Sequence, residues 1–175
     1  MAEEKAPLSP NAVHLVRTAT QANLALSQMA DQKASILMGA TFVVFTIAIG
    51  QAGRGHLTLS LMVLAGAAFL SALCAVAAVL PSISAPRDTG AAPNLLFFGV
   101  FSQLSEDEFT DKVLAELADD ESIYRMMLRD IHQNGMVLQH KKYRFLGLAY
   151  RIFLAGLVLT FAAFLWESRG MWLAA

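Results

Sequence analysis

Residues 57–80 read LTLSLMVLAGAAFLSALCAVAAVL, 24 positions without a charge. A bilayer core needs about 20 consecutive apolar residues in a helix, so this stretch is a membrane span. The rest of the chain is read outward from it. Ala34–Gly50 (ASILMGATFVVFTIAIG), on its N-terminal side, is uncharged over 17 residues, at the lower limit for a span. Gly147–Trp166 (GLAYRIFLAGLVLTFAAFLW), on the other side, is interrupted by Arg151 near its start. An arginine there can snorkel its guanidinium to the interface while its stem stays in lipid. The first span is not a signal peptide, because the 33 residues before it are polar and helical in character rather than a short basic region.

Composition agrees. Of 175 residues, 56% are hydrophobic and 15% charged, where a soluble domain carries roughly 25% charge. A domain this small cannot enclose so many apolar side chains, so lipid is the solvent for some of them. A net charge of -1 excludes a global basic field for nucleic acid. One cysteine, Cys74, excludes a disulfide framework and a cysteine-rich zinc site.

Three spans put the two termini on opposite sides. Lys5, Arg17 and Lys33 precede the first span, and Arg87, Lys112, Arg125, Arg129, Lys141, Lys142 and Arg144 lie between the second and third. Against these stand Arg54 in the Gln51–His56 turn and Arg169 at the C-terminal end. The positive-inside rule then makes the N-terminus and residues 81–145 cytoplasmic and the C-terminus periplasmic. The expected fold is an all-α membrane protein: three transmembrane helices, long helical cytoplasmic extensions, and a helical cytoplasmic region between the second and third spans. Residues 1–11 read as a flexible tail and 167–175 as a short periplasmic one. Residues 12–166 read as a single domain, with a cytoplasmic helix at 12–33, spans at 34–51, 57–80 and 147–166, and the cytoplasmic region at 81–145.

Within the cytoplasmic part, Val13, Val16, Leu24 and Met29 approximate a helical stripe, and one helix is expected from Ala12 into the first span. Pro81 ends the second span, and 82–93 (SISAPRDTGAAP) reads as a loop. Ser105-Glu-Asp-Glu108 is a capping box opening a helix. Asp119, Asp120 and Ser122 supply a break and a new cap, with a last helix from Ile123 continuing into the third span.

Signatures of catalysis and of metal ligation are poor. There is no HExxH, Walker A or GxSxG pattern, and His14, His56, His132 and His140 share no ligand spacing. The expectation is no catalysis, no metal and no cofactor. The basic residues say more. Arg125 and Arg129 stand four apart, with His132 three further on, so one helical face could hold a phosphate. Lys141 and Lys142 follow near the membrane, where positive-inside bias and anionic headgroups also demand charge. In Asn94-Leu-Leu-Phe-Phe-Gly-Val-Phe101 an apolar run sits on a surface connection. Either it packs into the helical bundle, or its aromatics Phe97 and Phe98, with Asn94, also floor a base; the two readings are compatible. At the mouth of the first span, Asp31 and Lys33 need partners, and Asp31 with Lys142 or Arg151 would tie the first long helix to the last. Ala67, Ser71 and Ala75 form a small-xxx-small face for close helix approach or self-association.

Ala30-Asp31-Gln-Lys-Ala34, Asn94-Leu-Leu-Phe-Phe-Gly99, Leu104-Ser-Glu-Asp-Glu-Phe109 and the run from Arg129-Asp-Ile through Lys142-Tyr-Arg144 to Ala149-Tyr-Arg-Ile-Phe153, in this order with spans between, resemble the Pycsar effector membrane protein family. The resemblance runs from about Ala12 to Trp166. Val100 departs from it, since a histidine often follows this Phe-Phe-Gly in the family. The resemblance implies an antiphage effector in the bacterial inner membrane. It would bind cyclic UMP or cyclic CMP made by a partner cyclase and impair membrane integrity to abort infection. The expected partners are that nucleotide, the bilayer and further copies of the chain, with no nucleic acid. Arg125 and Arg129 are expected on the phosphate, with Lys141 and Lys142 nearby, and Asn94, Phe97 and Phe98 on the base. Asp31, Lys33 and Arg151 are expected in structural or gating roles. Two rivals remain at this level. One is a non-catalytic scaffolding subunit that binds a protein partner. The other is a small membrane enzyme using Asp31, His140 or Tyr143.

Overall fold

The computed structural model describes residues 9–81 and 94–173, and every regular element among them is helical. The first helix, α1, runs Ala12–Gly53 without interruption. A short turn follows, in which Gly55 has φ +83°, a left-handed conformation that favours glycine. Helix α2 spans Leu59–Val79 and is opened by the Thr58 hydroxyl, which accepts from the Leu61 N–H. Its end at Leu80 is followed by Pro81, which cannot extend it. Then come α3 (Phe98–Phe101), α4 (Glu106–Glu116) and α5 (Asp120–Val137). A π-helical turn, Leu138–Tyr143, joins α5 to α6 (Arg144–Leu173) without a break.

Among the described residues three helices are long and apolar enough to cross a membrane: α1, α2 and the run Asp120–Arg169. Their packing is that of a protein dissolved in lipid. Phe42, Val158, Phe161 and Trp166 point outward, 63–75% exposed, an arrangement that water would penalise heavily.

The chain packs as two units: residues 1–26 with 81–137, and residues 27–80 with 138–175. In the second unit α1, α2 and α6 form a three-helix bundle. Phe45 meets Phe69, and Ala30 and Ala34 cluster with Ala78, so α1 and α2 are antiparallel. Ser71 donates to the Ala149 carbonyl at 2.8 Å, and Ser60 meets Glu167, so α2 and α6 are antiparallel too. The seam is made of small side chains. Ala34, Ala68, Ser71, Ala75 and Ala149 are completely buried, as close approach in lipid requires. At Gly156 a β-carbon would fall 2.1 Å from that of Ala67.

In the first unit the Ser105–Glu108 capping box starts α4 as its sequence predicts. Helix α5 starts at Asp120, three residues earlier than the Ile123 start expected. The Asp119 carboxylate accepts from the Ser122 N–H at 3.1 Å and takes the capping role. Val16, Leu95, Phe97 and Met126 are its buried apolar residues.

The expected stripe on α1 is corrected. Of its four residues Val16 alone is buried, while Val13, Leu24 and Met29 are exposed. The inward positions include 12, 16, 19, 23, 27, 30, 34, 37, 41, 44 and 48, flanked by 31, 38 and 45. Their steps of three and four follow the α-helical period, so they line one face of the helix. That face is carried mostly by alanine, serine, asparagine and threonine, which a search for large apolar residues passes over. The expected tail and loop at 1–8 and 82–93 lie outside the described residues. Helix α6 continues through the segment after the third span as far as Leu173.

Candidate functional site

Asn94 sits at the head of the aromatic run and is 2% exposed. Its side-chain oxygen accepts from the Leu96 N–H at 3.0 Å, closing an Asx turn, and its amide donates to Asp130 Oδ1 at 3.1 Å. Both ends of the amide are thus engaged by the protein. On α5, Asn23 of α1 donates to the Ile131 carbonyl at 3.0 Å. The residues around 130 therefore carry both the aromatic segment and the start of α1. Past the Asx turn the aromatics divide. Phe97 is buried, whereas Phe98 is 62% exposed and meets Phe101 edge to face, with ring centres 5.7 Å apart. Phe101 in turn meets Phe109 of α4. The run packs through one phenylalanine and displays the next.

The two arginines are not equivalent. Arg125 is extended in solvent and pairs with Glu121, one turn back, at 2.6 Å, an exposed i,i+4 pair that contributes little. Arg129 is half-buried and, among the described residues, makes no hydrogen bond or ion pair. A guanidinium drawn partly from water without an anion is poised to accept one. Asn94, Phe97, Phe98, Arg125 and Arg129 belong to the first unit, while Lys141 and Lys142 belong to the second.

In that second unit the Lys142 ammonium donates to Asp31 Oδ1 at 2.8 Å, to Asp31 Oδ2 at 2.7 Å and to Ser27 Oγ at 2.8 Å. All three ammonium protons have an acceptor. The lysine side chain is 21% exposed and that of Asp31 40%, so the pair is partly shielded from water. Of the two partners weighed for Asp31, the structure takes Lys142. Arg151 is exposed, and Lys33, also exposed, contributes its carbonyl to the Tyr150 hydroxyl at 3.5 Å. Lys142 lies on the π-helical turn, together with His140 and Lys141. Such turns are rare and concentrate at functional places.

At the other end of the bundle, Glu167 caps α2 from α6. Its carboxylate accepts from the Leu59 N–H at 2.6 Å, the Ser60 N–H at 3.4 Å and the Ser60 hydroxyl at 2.7 Å. The Ser60 hydroxyl holds the carboxyl below its usual range. Partial desolvation works the other way, and the two backbone N–H groups add to the lowering.

The Pycsar effector protein domain matches residues 14–167 of the chain. The chain belongs to this family. No curated protein and no solved structure matches it. As a Pycsar effector it is a membrane effector of an antiphage system, and the three apolar helices are its membrane part. Within the effector, sequence reasoning missed three contributors. Asp130 fixes Asn94, Ser27 completes the shell of Lys142, and the π turn sets the direction of that lysine. Ser27 stands four residues before Asp31, a helical neighbour spacing that points to a shared partner. The π turn has no comparable sequence signal, since Leu138–Tyr143 (LQHKKY) is compatible with an ordinary helix.

Proposed function

We propose that this effector is a non-catalytic sensor that binds a cyclic pyrimidine mononucleotide, cyclic UMP or cyclic CMP, and impairs the inner membrane in response. Membership of the Pycsar effector family over residues 14–167 carries the reading. The first unit supplies suitable chemistry: Arg129 for the phosphate and the exposed ring of Phe98 for the base. Asn94 orients that ring segment through its Asx turn rather than reading the base. Lys142, engaged by Asp31, serves the bundle. The N-terminus and residues 81–145 face the cytoplasm, where a cyclase releases its product, and the C-terminus is periplasmic. The effector acts as a homo-oligomer and without a cofactor.

The test is thermal unfolding of the detergent-purified protein with cyclic UMP, cyclic CMP, cyclic AMP and cyclic GMP, each at about 100 μM. A ligand at 100 times its dissociation constant stabilises by about 2.7 kcal/mol. A shift with one pyrimidine nucleotide, lost in Arg129→Ala, is expected. No shift with any of the four in folded protein would sink the reading. A scaffold reading is favoured by Phe98, Leu114, Leu117 and Leu128, all exposed in the first unit. It expects a bound protein on that surface and indifference to all four nucleotides.

A further inference from the structure

We propose that the Ser27–Asp31–Lys142 clasp and the π turn that carries it form a two-state coupling element, closed at rest and opened when the effector is triggered. The proposal rests on the nucleotide-sensing reading and names how its signal reaches the spans.

Position is the first argument. Two continuous helices pass from the first unit to the second. The passage falls between residues 26 and 27 on α1 and between residues 137 and 138 at the end of α5. Ser27 is the first residue beyond one passage, and the π turn Leu138–Tyr143 begins directly beyond the other. The clasp therefore joins the two helices where each enters the bundle. It adjoins the bundle's apolar packing: Ala30, beside Asp31 in the chain, and Leu138, first residue of the π turn, share a buried cluster with Ala34, Ala78 and Leu146.

Mutual dependence is the second. A π turn holds one residue more than the α-helix it interrupts, and its geometry is poorer, so it persists where other contacts select it. Here the selecting contact is visible. The turn aims Lys142 at two carboxylate oxygens and a hydroxyl, satisfying every ammonium proton. Resolving the turn into α-helix would shift one flank against the other by one residue, about 100° of rotation and 1.5 Å of rise. Lys142 and Asp31 cannot both keep their places through such a shift. Clasp closed with π turn, and clasp open with α-helix, are thus two discrete arrangements of one segment. A one-residue change of register at 138–143 is a change of helix face for all of α6 that follows. Elements with two such arrangements can carry energetic coupling between distant sites.

If the clasp stabilises the resting state, weakening it lowers the nucleotide concentration needed for triggering, because ligand and clasp draw on the same equilibrium. The experiment uses the full chain in phosphatidylethanolamine–phosphatidylglycerol vesicles loaded with a self-quenching dye. Release is followed against cyclic UMP and cyclic CMP, and hydrogen exchange is measured over residues 138–143. Ser27→Ala removes one acceptor and strands no charge, and is expected to lower the half-effect concentration by about threefold. Asp31→Asn is expected to lower it by about tenfold or to leak without nucleotide. The exchanged pair Asp31→Lys with Lys142→Asp is expected to return toward the native threshold. Deleting exposed Gln139 removes the surplus residue while both flanks keep their places, and is expected to bind nucleotide normally yet release no dye.

A folded Ser27→Ala protein with an unchanged threshold, together with a Gln139 deletion that releases dye normally, overturns the clasp while leaving the nucleotide reading intact. Native protein deaf to all nucleotides, with Asp31→Asn vesicles leaking and exchange at 138–143 raised, keeps the clasp and overturns the trigger. If Asp31→Asn does not insert, Ser27→Ala and the deletion decide alone. A higher threshold in Ser27→Ala overturns the proposal as well, because it assigns the clasp to the triggered state.

Discussion

Asn94 and Glu167 illustrate how single polar side chains hold this protein together. Asn94 has one partner on each end of its amide, and both are in the first unit. Asn94→Ala leaves the Leu96 N–H and an Asp130 oxygen without their partner in a partly buried place. It is expected to cost about 1–3 kcal/mol, seen as a lower melting temperature without loss of α-helix content. Asn94→Asp is expected to cost more, because it sets a carboxylate against Asp130 and removes the donor. Glu167 is a different case, since its carboxylate is stabilised in the charged form at the N-terminus of α2. A carboxyl whose pKa is depressed on folding adds stability at pH above its unfolded value, and that stability disappears as pH falls through the folded value. The melting difference between native protein and Glu167→Gln is therefore expected to be constant from neutral pH down to the ordinary carboxylate range. It should vanish below that range. A difference that grows in acid would contradict the cap.

At the scale of elements, the crossing of α2 and α6 is governed by what is missing from Gly156. A β-carbon there would meet that of Ala67 at 2.1 Å, and neither backbone can yield without moving its helix. Gly156→Ala is expected to destabilise by about 1–3 kcal/mol, the usual cost of overpacking. Adding Ala67→Gly should recover most of the loss, since the remaining Ala67 Cα lies at 3.5 Å, ordinary contact. A double variant no better than the single one would show that the crossing is not set here. The sequence search found the small-residue face of α2 through Ala67, Ser71 and Ala75, and the structure uses it. The seam of α1 escaped that search because its residues are as small and polar as those on an exposed helix face. They become a seam because steps of three and four keep them on one face of the helix.

Across the whole molecule, the long apolar helices with large side chains turned outward are what a lipid environment accommodates. The orientation proposed from the placement of Arg and Lys is testable without any nucleotide. Cysteine introduced as Ser105→Cys in a Cys74→Ser background is expected to react with an impermeant maleimide only in opened cells, and His56→Cys in intact spheroplasts. The opposite pattern would invert the topology and put the first unit out of reach of a cytoplasmic cyclase. Neither result depends on which nucleotide is sensed.

Hydropathy, helix signals and charge bias are properties of nearby residues, so the chain by itself determined three apolar helices, the Ala12 start of α1 and the capping box at Ser105. Four ordered motifs were also enough to point to the family. Which side chains meet was decided by tertiary structure. Asp31 had two candidate partners, and only packing aims Lys142 at it. Arg125 and Arg129 look equivalent as an i,i+4 pair, yet one pairs in solvent and the other is half-buried. Phe97 and Phe98 are adjacent and identical, and the Asx turn at Asn94 sends one inward and one out. The π turn at Leu138–Tyr143 is the clearest case. Its six residues favour an ordinary helix locally, and a contact more than a hundred residues away in the chain accompanies the irregular one.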